Sequence, residues 1–162
     1  MAADDDAQHA GVDVDILGAI PHELDAARIR AVCAAALAEG DGEVATVALL
    51  LTDDAGIADL HARYLADPTE TDVMSFDHGD GTVDVVVNVA RARREAERHG
   101  SRFESELSLY IVHGLLHCCG HDDHDADDRR AMRMAEDRVM RRLGLRHAPV
   151  DVDRDDGHDV DA

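Results

Sequence analysis

Short β-rich runs alternate along this chain with segments patterned as helices. Residues 44–51 and 83–89 are almost continuously apolar and β-branched, as buried strands are. Residues 72–76 form a further strand candidate, followed by the turn His78-Gly79-Asp80-Gly81. Residues 12–16 alternate apolar and acidic positions, as a short edge strand does. Between and after these runs lie five helix-patterned segments. The first, 22–39, begins after Pro21, carries Leu24, Ala27, Val32, Ala35 and Leu37 near helical spacing, and stops at Gly40. The second, 55–65, is capped by Asp53 or Asp54 and sets Ile57, Leu60 and Tyr64 on one face. An Arg-rich segment, 90–99, closes at Gly100. The apolar segment 103–119 ends at Gly120, and 127–143 buries Met132, Ala135, Val139 and Met140. Such an order implies an α+β (α/β layered) fold, with a small mixed sheet of about four strands packed against about five helices.

The 162 residues suit one folded domain, placed at 11–146. Two Phe, two Tyr and no Trp leave the core to aliphatic residues, Ala and Met. No run approaches the ~18 apolar residues of a membrane helix. The acidic start lacks the basic-then-apolar pattern of a secretory signal. Three cysteines, Cys33, Cys118 and Cys119, are too few and odd in number for a disulfide scaffold. Together these predict a cytoplasmic protein with no membrane partner.

The net charge is −20, and a strongly acidic chain argues at first against a nucleic-acid partner. Half of that charge lies at the ends: residues 1–15 and 147–162 carry −5 each. Segments 1–10 and 147–162 are expected to be disordered, because they bury too little surface to offset the entropy of ordering.

The chemistry concentrates in the stretch from His113 to His124. His113 and His117 are four apart on a predicted helix, so both imidazoles share one face. Gly120 lets the chain turn back, and Asp123 then supplies a third donor in the spacing HxxxHxxGxxD. His124, one residue on, is the alternative third ligand, and His121 points inward less surely. Two imidazoles and a carboxylate leave one position for water, as in catalytic zinc sites. Asp122 or His121 could take a proton. Cys118 and Cys119 read as small packing residues, and His61 reads as a surface residue.

This stretch resembles the signature H-G-x-L-H-L-x-G-Y-D-H of the YbeY family of metal-dependent endoribonucleases. His113, Gly114, Leu116, His117, Gly120 and Asp122 match in register. The segment from Thr71 to Phe76 resembles the family's T-D-V-L-S-F, and Asp84 to Asn88 resembles its G-D-I-V-I-S. The resemblance spans roughly residues 45–143. It departs at three places. Asp123 stands for the family's third His, and His121 for its Tyr. Leu65 follows Tyr64 where the family carries a phosphate-holding Arg.

The resemblance implies one Zn2+ per chain, a single-stranded RNA substrate, and maturation of small-subunit rRNA near its 3′ end. Its partner would be rRNA or the small ribosomal subunit, and not DNA. Arg91, Arg94 and Arg98, with Arg93 and Arg102 nearby, are candidates for RNA backbone contacts. Two other classes compete. A non-catalytic metal-binding ribosome-assembly factor is favoured by Leu65. A zinc protease shares the histidine spacing, but its HExxH motif needs a Glu where this chain has Gly114.

Overall fold

The computed structural model describes residues 12–40, 43–65, 71–121 and 124–145. The acidic end segments, 1–10 and 147–162, lie outside the described residues. Four strands form one sheet: β1 (Asp13–Leu17), β2 (Thr46–Thr52), β3 (Val73–Asp77) and β4 (Thr82–Asn88). Their order is β1-β2-β4-β3, with β1/β2 and β2/β4 parallel and β3/β4 an antiparallel pair. The sheet is therefore mixed, and β1 is an edge strand, as its alternation suggests. Five helices accompany it: α1 (Ala26–Glu39), α2 (Asp54–Leu65), α3 (Val89–His99), α4 (Phe103–Cys118) and α5 (Ala126–Arg142).

Side-chain alternation distributes the strands' residues between two cores. Val47, Leu49, Leu51, Val83, Val85 and Val87 face the main core, formed with α1, α4 and α5. Leu50, Met74 and Val86 face the other side, where Ile57 of α2 covers them in a smaller cluster. Helix α4 occupies the centre of the main layer, touching α1, α3, α5, β3 and β4. Gly114 makes this close seating work. A Cβ there would lie 2.8 Å from Val85 Cγ1 and 2.9 Å from Val73 Cγ2, so only a glycine lets the helix sit so near the sheet.

Three expectations are corrected. Helix α1 starts at Ala26, not at 22, because Asp25 caps it by accepting the Arg28 N–H at 2.7 Å. Its buried stripe is Ile29, Val32, Cys33 and Ala36, while Ala27 is exposed; Ile29, the bulkiest of the four, is fully buried. In α2 the buried stripe runs through Ile57 and His61, so His61 is buried and not at the surface. That rotation carries Tyr64 outward to 67% exposure, with its ring 5.6 Å from that of Phe76. No helix among the described residues is long and apolar enough to cross a membrane.

Candidate metal centre

Helix α4 is apolar on nearly every side and buried along most of its length. Near its end, His113 and His117 share a face, with ring centroids 5.9 Å apart and ring planes nearly perpendicular. The helix stops at Cys118. The N–H groups of Cys119 and His121 both return to the Leu116 carbonyl, at 3.0 and 3.1 Å. Gly120, at φ 92°, adopts the left-handed conformation that this reversal requires. Asp125 then caps α5 by accepting the Asp128 N–H at 2.8 Å.

The decisive contact comes from α5. The Glu136 carboxylate is fully buried and accepts a 2.7 Å bond from His113 Nδ1. Arg133, one turn earlier, donates to the other Glu136 oxygen at 3.2 Å. Burial alone would raise the Glu136 pKa, but the His113 bond and the charges of His113 and Arg133 outweigh it and hold the pKa below the ordinary value. For His113, burial favours the neutral ring, yet the bond and charge of Glu136 prevail and bring it to about 9.

This geometry suits a cation. With Nδ1 committed to Glu136, His113 would offer Nε2 to an ion that displaces its proton, and the carboxylate fixes the ring orientation. The Nε2 atom of His117 is buried in the same region. Among the described residues no group of three donors is assembled. Asp122 and Asp123 lie outside the described residues; His121 is half-buried and His124 exposed.

Neighbouring residues take structural roles. Cys118 is half-buried, and burial pushes its thiol up to about 12. Cys119 is buried against Gly40. Phe76 is half-buried in the smaller cluster. Among the candidate arginines, Arg94 binds Asp54 through two bonds and Arg98 meets Glu95 at 3.5 Å.

Sequence reasoning missed Glu136 and Arg133. The signal was present: Glu136 falls within the stripe Met132, Ala135, Val139 and Met140, where a lone carboxylate requires partners.

A single mixed sheet carrying a histidine pair on its central helix, with a buried carboxylate fixing one imidazole, defines a compact α+β class. Comparison with known proteins makes the assignment particular. The profile of the family described as Endoribonuclease YbeY matches residues 19–144. The Endoribonuclease YbeY of Pelotomaculum thermopropionicum is 36% identical over 119 residues, covering 67% of this chain and 78% of that protein. That of Rhodopseudomonas palustris is 34% identical over 146 residues, covering 80% and 75%. The solution structure of TM1509 from Thermotoga maritima shares the fold, with a TM-score of 0.61 at 21% identity over 80% of this chain and 88% of that one. The chain belongs to the YbeY endoribonuclease family.

Proposed function

We propose that this protein is a zinc-dependent, single-strand-specific endoribonuclease that acts in the cytoplasm in rRNA maturation and ribosome quality control, at the 3′ end of small-subunit rRNA. The observation that carries the reading is the 2.7 Å bond from His113 Nδ1 to the buried Glu136, which holds the imidazole as metal-binding histidines are held. His113, His117 and Asp123 hold the ion, with His124 as the alternative third ligand. A zinc ion held there would supply Lewis acidity toward a phosphoryl oxygen and lower the pKa of a water. Asp122 or His121 takes the proton from the attacking water. Glu136 keeps the His113 ring oriented throughout, and Arg133 keeps Glu136 ionised.

Leu65 favours a second reading, a metal-binding assembly factor without catalysis. It packs into the smaller cluster and places no cation beside Tyr64. The protease reading loses support from Gly114, where a glutamate side chain would collide with Val73 and Val85. Incubating purified protein with an rRNA precursor and with casein separates the three. Cleavage of the RNA alone, abolished by chelation and restored by zinc, is expected. Cleavage of neither substrate with zinc retained would leave the assembly-factor reading, and cleavage of casein would overturn both.

A further inference from the structure

The arginines on and beside α3 are not equivalent. Arg93 binds Glu23 and lies 4.1 Å above the Phe103 ring. Arg94 grips Asp54, Arg98 meets Glu95, and Arg102 meets Glu104 at 3.6 Å. Arg91 differs. Its N–H donates to Asn88 Oδ1 at 3.0 Å, but the half-buried residue's guanidinium makes no ion pair or hydrogen bond among the described residues.

Its position is fixed by backbone contacts. Asn88 donates from its N–H to the Asp72 carbonyl at 2.9 Å and from its side chain to the Thr71 carbonyl at 3.1 Å. The first turn of α3 is thereby tied to the start of β3, and Val73 there meets α4 at Gly114, beside His113. On α4, Glu106, Tyr110, His113 and His117 recur at spacings of four, three and four, which puts them along one face. Helix α3 runs back along α4 after a three-residue connection, and His99, near its far end, reaches Glu106 at 3.5 Å. Its near end therefore lies toward the His113 end of α4, where Arg91 acts electrostatically on Tyr110, one turn before His113. The electrostatics agree: Asp72 acts on both Tyr110 and His113, and Arg91 acts on Tyr110.

We infer that Arg91 holds a backbone phosphate of the bound RNA beside the His113–His117 pair, with the Tyr110 hydroxyl as a second donor. This rests on the endoribonuclease reading. A guanidinium presents a planar fork that matches two phosphate oxygens. Burial pushes the Tyr110 phenol well above its ordinary range, so it stays a hydroxyl and can donate. Asp72 would repel the phosphate, but its carboxylate is engaged by the Val73 N–H at 2.8 Å and the Thr71 hydroxyl at 3.4 Å. Arg91 supplies the charge that offsets what remains.

The test is binding of a single-stranded RNA to the zinc-loaded full chain across a salt series, read by stopped-flow fluorescence anisotropy before cleavage, beside steady-state cleavage of the same RNA. Arg91→Ala should weaken binding about tenfold or more and reduce the salt slope by about 0.7, the loss of one phosphate contact. The change should appear in KM more than in kcat. Arg91→Lys should keep the slope, and Tyr110→Phe should cost a few-fold. Arg141→Ala, a surface arginine paired with Asp137, should change nothing. Melting curves and zinc content should match across the series. Unchanged binding in Arg91→Ala, or an equal loss in Arg141→Ala, overturns the phosphate site while the endoribonuclease reading stands. A wild-type chain that neither binds nor cleaves single-stranded RNA overturns both.

Discussion

Glu136 on α5 and His113 on α4 are joined by a 2.7 Å hydrogen bond in which the carboxylate is wholly shielded from solvent. Twenty-three residues separate them, and neither is informative about the other in the sequence. Their contact turns an ordinary helical histidine into an oriented donor, because only Nε2 is left to face an ion.

Removing that carboxylate should therefore loosen the metal without removing a ligand. Glu136→Gln keeps the shape but loses the charge facing His113 and Arg133. Zinc affinity, read by competition with a chelator, should fall about 10- to 100-fold. Equal affinity in variant and wild type would show that Glu136 only fills the core.

The ligands themselves should behave differently. His117→Ala should release the metal, measured by elemental analysis of the dialysed protein. Comparing Asp123→Ala with His124→Ala then identifies the third donor: the variant that loses zinc is the ligand. Full zinc retention in His117→Ala would remove the site assignment.

Gly114 should tolerate no side chain. Alanine gains about 1 kcal/mol of helix propensity over glycine, but its Cβ would press on Val73 and Val85 at under 3 Å. Overpacking of that kind costs about 1–3 kcal/mol, so Gly114→Ala should lower Tm, and Gly114→Glu should fail to fold. A raised Tm for the alanine variant would mean that the helix moves away from the sheet at little cost.

His78 offers a pH test away from the metal. Its hydrogen bond to Asp84 at 2.9 Å, and then the charge of that carboxylate, hold its pKa above the ordinary histidine value of 6.5. A raised folded-state pKa contributes stability that is fully present below 6.5 and is lost as pH rises through the folded value. NMR titration should find His78 titrating above 6.5, and Asp84→Asn should return it to the ordinary range. An unchanged titration in the variant would dissociate the pair.

The resemblance to a known family was legible in short motifs, and so were most elements. Alternation marked β1, nearly continuous apolar runs marked β2 and β4, and Gly40, Gly100 and Gly120 marked where helices end. What misled was the choice of face on helices whose apolar residues are small or scattered. In α1 the alanines give no clear stripe, so Ile29 sets the orientation. In α2 the sheet's outer face takes Ile57 and His61 and leaves Tyr64 in solvent.

By itself the sequence determined the layered α+β plan, the i, i+4 histidine pair and the family, because periodicity and spacing are local properties of the chain. The tertiary structure alone decided which nitrogen of His113 is held, that Glu136 and Arg133 hold it, and that among the described residues Arg94 and Arg98 face carboxylates while Arg91 does not. Those outcomes depend on which helices pack together, and hydrogen bonds between distant residues leave no periodic trace in the chain.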